Sequence, residues 1–324
     1  LNWLNQNIME EVLEVCTGRT YGQAASLLTE QYGEYVSAEQ LRSAIRRYKE
    51  RGSQEEARNK FVEATPVIRT KRETYQRASV VQEVIFGALG DSHLCSNYER
   101  NDILESLYDE YEARGVTTVY HTGNYIDGEA PFNTHEIHVH GIDGQCAYFL
   151  QNYPQRTGIR TLVLDGDDHE GWTRQKHGMV VGQHLEDMAR RSGRDDIYYL
   201  GYMEADVQLV SNSDRTIRVL HPGGGSSYAL SHTSQKIVDS YEEYERPDIL
   251  IVGHYHKAHF LPNYRGVSII QTGTTQEPTP FMRKKRLHAD LGGWIVTVGL
   301  SAEDEILKLQ AEFIHYPART WKHR

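Results

Sequence analysis

One recurring pattern restricts the fold of this chain more than any other. The apolar run Val84-Ile85-Phe86-Gly87-Ala88-Leu89 ends in Gly90 and is followed at once by Asp91-Ser92-His93. The same order of apolar run, glycine and metal-capable side chains recurs three more times: at Gly123-Asn124-Tyr125-Ile126-Asp127-Gly128, at Gly166-Asp167-Asp168-His169-Glu170-Gly171-Trp172, and at Gly253-His254-Tyr255-His256. Short continuous apolar runs are the signature of strands covered on both faces. The loops that follow them then sit at the carboxyl ends of the strands, where open α/β sheets hold their ligands. A lone Asp-x-His is weak evidence for a metal; four such loops in one chain are not.

The intervening segments fit that frame. Ile103, Leu104, Leu107 and Tyr111 are spaced for a helix over 101–114, which Gly115 stops, and strands are expected at 117–121 and 160–164. Helices are expected over 145–153 and around 183–191, and further strands over 197–200, 205–210, 217–220 and 249–252. The strand at 217–220 delivers His221 and then Pro222-Gly223-Gly224-Gly225-Ser226-Ser227, which fits either a phosphate cradle or a plain turn. His135, His138 and His140 stand in a Gly- and His-rich insertion over 129–144 whose spacing suits an exposed loop beside a site better than a metal centre of its own.

The first 52 residues read differently. Ile8, Val12 and Val15 mark one helix, 21–32 a second that Gly33 ends, and Ser37 with Gln40 a capping box that opens a third running to Gly52. Two short helices with a tight Gly-containing turn, the second carrying Arg42, Arg46, Arg47, Lys49 and Arg51, match a helix-turn-helix with its cations on the recognition helix. An ordinary solvated helix face would look the same. Residues 53–80 are polar and broken at Thr65-Pro66, and are expected to be a linker with some helix, leaving 81–324 as the larger domain.

At 324 residues the chain suffices for one large α/β domain and a small companion. Its net charge of −10 supplies no global field for a polyanion, so nucleic-acid contact must come from a local basic face. Three cysteines without Cys-x-x-Cys pairing argue against a disulfide framework and a zinc knuckle. With no run of apolar residues long enough for a membrane span and no basic-then-apolar leader, a cytoplasmic setting without membrane contact is expected.

Taken in order, Asp91-x-His93, Gly123-Asn124-x-x-Asp127, Asp168-His169-Glu170, His221 and Gly253-His254-x-His256 resemble the motifs of the calcineurin-like metallophosphoesterase superfamily over roughly residues 80–300. The chain looks most similar to SbcD-like and phage-borne members that carry an N-terminal helical segment, which places it in a bacterial or phage-infected cell. The resemblance implies an α/β fold built on a two-layer β sandwich flanked by helices, with two divalent ions, Mn²⁺ favoured and Fe or Zn²⁺ the alternatives. It implies that Asp91, His93 and His256 hold one ion, that His221, His254 and a residue of the third motif hold the other, and that position 124 bridges them. His169 and Asp127 are its catalytic candidates.

Two departures stand out. The superfamily's bridging Asp is Asn124 here, and its Gly-Asn-His-Asp/Glu motif has an extra residue, so that either Asp167 or Asp168 takes the Asn slot. Aligning on His169 selects Asp168; aligning on Gly166 selects Asp167. The expected activity is a metal-dependent phosphodiesterase acting on nucleic acid, DNA favoured. The alternatives are a phosphatase of a small molecule or phosphoprotein, and a degenerate site on a DNA-binding or structural protein.

Overall fold

In a computed structural model the described residues are 8–64, 78–225 and 227–319, with the backbone alone for 54–64. Residues 65–77 of the expected linker lie outside them, as does Ser226. The chain divides into two compact units, Leu1–Gln76 and Arg77–Arg324.

In the first unit, α1 (Met9–Cys16), α2 (Tyr21–Tyr32) and α3 (Ala38–Ala64) surround a core of Met9, Val12, Ala24, Ala25, Leu28, Val36, Leu41 and Ile45. Thr20 and Gln23 close a capping box at the start of α2, and Gly33 ends it in the left-handed conformation. Helix α3 does not stop at Gly52 as its sequence suggested but continues to Ala64. One glycine on a polar helix costs only about 1 kcal/mol, and the flanking Glu, Arg, Gln and Lys are good helix formers.

In the second unit β1 (Gln82–Leu89), β2 (Thr118–His121), β3 (Arg160–Asp165) and β4 (Ile197–Tyr202) run parallel. β10 (Gly292–Leu300) and β11 (Ile306–His315) extend that sheet antiparallel beyond β1, giving the order β11-β10-β1-β2-β3-β4. The second sheet is β5-β6-β7-β9-β8, formed by β5 (Glu204–Gln208), β6 (Thr216–Leu220), β7 (Ile249–Val252), β8 (Ala258–Tyr264) and β9 (Val267–Thr272), with β6, β7 and β9 parallel.

The two sheets face each other across Phe86, Ala88, Tyr120, Leu164, Ile217, Val219, Ile249, Ile251, Ile270 and Val296. The outer face of the first sheet is covered by α4 (Asn101–Ala113), α5 (Ile142–Asn152) and α7 (Val181–Arg191), and that of the second by α8 (His232–Asp239). Strand β7 shows why its sequence is apolar throughout: Ile249 and Ile251 enter the space between the sheets while Leu250 and Val252 pack under α8. This is the sandwich flanked by helices that the motif order implied. The short helices α6 (Glu170–His177) and α9 (Pro280–Lys285) follow the third motif and β9. Among the described residues no helix is long and apolar enough to cross a membrane.

Candidate metal centre

Every motif loop leaves the carboxyl end of a parallel strand: β1 delivers Asp91 and His93, β2 Asn124 and Asp127, β3 Asp168 and His169, β6 His221, β7 His254 and His256. Two glycines allow the loops to close on one another. A Cβ at Gly123 would come within 2.5 Å of the His221 ring, and one at Gly166 within 2.6 Å of Asn124 Oδ1. Asp91, His93, Asn124, His169, His254 and His256 all adopt positive φ, from +46° to +77°. This conformation costs an L-residue roughly 1–2 kcal/mol, and such strain persists where the surroundings over-determine a functional geometry.

Two groups of ligand-type atoms result. In the first, Asp91 Oδ1 lies 3.5 Å from His256 Nε2 and 3.9 Å from His93 Nε2, and the two imidazole nitrogens are 3.3 Å apart. In the second, Asp168 lies 3.2 Å from His221 Nε2 and 3.5 Å from His254 Nδ1. Ligands about 2.0–2.1 Å from one ion at tetrahedral angles stand about 3.4 Å apart, a value that the separations above, 3.2–3.9 Å, bracket. Asp168 Oδ1 and His221 Nε2 face each other without the alignment of a hydrogen bond, and neither has another partner among the described residues. Asn124 belongs to neither group: its Nδ2 donates to Asp91 Oδ1 (3.4 Å), and its Oδ1 is buried without a protein partner. Buried polar atoms left unpaired are costly, and converging acceptors of this kind suit a cation.

The remaining hydrogen bonds fix which nitrogen of each histidine faces inward. Carbonyl oxygens only accept, so His221 donates through Nδ1 to Thr122 O (2.7 Å) and presents a bare Nε2. His254 donates through Nε2 to Gly224 O (2.6 Å) and presents Nδ1. Asp127 accepts from His93 Nδ1 (2.9 Å), leaving Nε2 for the centre. Outer partners of this type orient metal-binding imidazoles. The loop after His221 thus supplies a carbonyl that steadies His254.

Burial would raise the pKa of Asp91, but His256, His221 and His93 hold it well below the carboxylate range. Burial likewise opposes ionisation of Asp168, yet His221 and His254 keep it far below that range. Burial lowers His254, and Asp168 more than reverses this, carrying it to about 9. A proton therefore competes with a metal for that position. Burial, with His169 nearby, brings His93 to about 4, so it presents a neutral ring.

Asp127, His93 and His169 form a third close group. Here both His Nδ1 atoms are already engaged, His93 with the Asp127 carboxylate and His169 with the Asp127 carbonyl (2.6 Å). Asp127 is therefore an orienting residue and His169 presents Nε2 outward. Asp167 turns away: its carboxylate accepts from the Tyr202 hydroxyl (2.7 Å) and from Gln175 Nε2 (3.2 Å), and it joins neither ligand group. Of the two neighbouring carboxylates, Asp168 is the one that stands with His221 and His254. His138 pairs with Glu99 and His140 with Glu129; among the described residues these two and His135 join no ligand group.

Glu170 has a role that its place in the third motif did not disclose. Fully buried, it accepts from the amides of Asn124 (3.2 Å), Ile126 (3.2 Å) and Gly166 (3.3 Å), tying the second motif loop to the third. A Glu next to His169 at the head of a helix was the available signal.

In the first unit Arg42, Arg46, Arg47 and Lys49 are all exposed on α3. The Arg42 guanidinium lies 5.3 Å from the Tyr21 ring centre, Arg46 lies 3.7 Å from Glu50, and Tyr21, Arg42, Arg46 and Lys49 line one shallow groove.

No family model matches this chain, and no curated protein does. Solved structures similar to it include a conserved uncharacterized protein, a predicted phosphoesterase, from Streptococcus pneumoniae TIGR4 (15% identity, TM-score 0.33, covering 72% of this chain and 99% of that one). Others are Vps29 complexed with Zn²⁺ from Entamoeba histolytica (13%, TM-score 0.34, 72% and 99%) and a phosphatase from Mycoplasma pneumoniae (13%, TM-score 0.36, 72% and 94%). What this chain can do follows from its own side chains.

Proposed function

We propose that the chain is a metal-dependent phosphoesterase of the calcineurin-like superfamily, acting on phosphodiesters in nucleic acid, DNA favoured. The main support is the pair of facing ligand groups, Asp91–His93–His256 and Asp168–His221–His254, with the Asn124 amide beside them. Each group would hold one divalent ion, and the mixture of imidazole and carboxylate suits Mn²⁺, Fe or Zn²⁺. Bound there, two ions would lower the pKa of a water and draw negative charge away from a phosphoester.

The chain's own residues supply the rest. Asp91 and Asp168 bring the negative charge that would face the ions, and Asn124 offers a neutral oxygen where the superfamily has a carboxylate. His169, held through Nδ1 by the Asp127 carbonyl and with the Asp127 carboxylate 3.7 Å away, can carry a proton on Nε2 to a departing alkoxide. Five exposed cations of α3, Arg42, Arg46, Arg47, Lys49 and Arg51, support the nucleic-acid reading, since they gather positive charge on one stretch of helix in a chain whose net charge is −10. The test is hydrolysis of bis-p-nitrophenyl phosphate against p-nitrophenyl phosphate with Mn²⁺, alongside single- and double-stranded DNA. Diester and DNA cleavage are expected. Preference for the monoester would make the chain a phosphatase, and no turnover would favour a binding protein.

A further inference from the structure

A row of rings leads from the candidate centre to solvent. The His93 and His169 rings meet edge to face with centres 4.4 Å apart, His169 and Trp172 are 4.5 Å apart at 35°, and Trp172 and Phe132 meet edge to face at 4.7 Å. The row begins at a candidate ion ligand, passes through the residue placed to meet the leaving group, and ends at Phe132, which is 65% exposed.

Singly exposed apolar residues are common and usually mean nothing. Phe132, however, sits on a clamped turn. Its neighbour Asn133 is buried, donates from Nδ2 to the Asp127 carbonyl and carboxylate (both 3.1 Å), and accepts from the Ala130 amide (2.8 Å). The turn is thus fastened to the residue that orients His93 and His169, and it presents its apolar ring to water at a fixed place. Trp172 is placed as firmly, in the first turn of α6, whose start is tied down by the Glu170 carboxylate.

We infer that Phe132, braced edge to face by Trp172, is a stacking shelf for a planar ring carried by the substrate next to the phosphate that reacts, a nucleobase in a nucleotide or a strand. This rests on the phosphoesterase reading for its anchor, the phosphate at the centre. A substituent of a phosphate held between the ligand groups and His169 would reach Phe132 along the ring row, and an exposed aromatic ring holds a flat substituent without sequence readout.

The test uses the full chain loaded with Mn²⁺ and two probes whose C–P bond resists hydrolysis: a thymidine 5′-phosphonate and the same phosphonate on an abasic deoxyribose. Calorimetric titration should give an affinity on the order of tenfold higher for the thymidine probe, the size of one base stacked on an aromatic side chain. Phe132→Ala should remove most of that ratio while the abasic probe binds unchanged, and Phe132→Tyr should keep it. Because Phe132 is exposed, the variant should fold, as circular dichroism would verify. A ratio within about twofold in the wild type, or one that survives Phe132→Ala, overturns the shelf. If the abasic probe binds and the ratio is one, the shelf fails and the phosphate centre stands. If only the thymidine probe binds, the shelf stands and the phosphoesterase reading fails. If neither binds, both fail.

Discussion

Asn124→Asp puts a second carboxylate against Asp91. In the native chain Asn124 Nδ2 donates to Asp91 Oδ1 at 3.4 Å, both side chains are buried, and Asn124 cannot swing aside because its Oδ1 already stands against Gly166. Two negative charges 3.4 Å apart repel by about 5 kcal/mol at an effective dielectric constant near 20. Proton uptake limits the cost to about 4 kcal/mol at pH 7, the work of protonating one ordinary carboxyl. For a domain of this size that lowers Tm by about 10 °C. The loss should appear in the chelator-treated protein and vanish on adding Mn²⁺, since the extra carboxylate then faces cations. Calorimetric scans of both proteins with and without metal decide it. An unchanged Tm in chelator would show that the two side chains do not oppose each other, and a loss that persists in saturating Mn²⁺ would show that no cation lies between them.

Other expectations follow from the same geometry. His254→Ala and His256→Ala each remove a ligand from a different group, so plasma emission should find bound Mn²⁺ falling from about two ions per chain to about one, with the circular dichroism spectrum kept. Asp168→Asn should lose an ion where Asp167→Asn does not, because only Asp168 faces histidines; the reverse result would restore the alignment on Gly166. Replacing Arg42, Arg46 and Arg47 by Ala should lower the log–log salt slope of DNA binding by about 0.9 for each phosphate that is no longer neutralised, and an unchanged slope would make the first unit an assembly module. Burial raises the Asp165 carboxyl to about 6, against the bonds it accepts from the Tyr125 hydroxyl and the Gly182 amide. Its folded form therefore holds the proton more tightly than the unfolded one. That contribution to stability is full below about pH 4 and lost, by roughly 3 kcal/mol, as pH rises through 6. In Asp165→Asn this part of the pH dependence should disappear from urea denaturation, and its persistence would mean another group is responsible.

The buried parallel strands were legible because they are covered on both faces, so Val84–Leu89 and Ile249–Val252 are apolar at every side chain and each is followed by a glycine, whereas the sandwich was implied by the resemblance of the motifs. Motif order was legible for the same reason: the loops hang from those strand ends. What the sequence left open was decided by packing. Asp167 and Asp168 are adjacent and chemically alike, and the Tyr202 hydroxyl, 35 residues away, together with Gln175 holds Asp167 away from the histidines. The extension of α3 through Gly52 was hidden because a glycine reads as a stop, although the residues around it favour a helix. Glu170 as a tie between two loops, and the ring row ending at Phe132, depend on contacts between the loops after β2 and β3, which no periodicity within either segment reveals.

Two facing groups of three side chains should hold two divalent ions, and everything proposed for this chain's chemistry depends on that pair. Equilibrium binding of Mn²⁺ to the chelator-stripped full chain, read by free-ion electron paramagnetic resonance, tests it most directly. Saturation at about two ions per chain is expected. Saturation at one, or no binding at all, would contradict it.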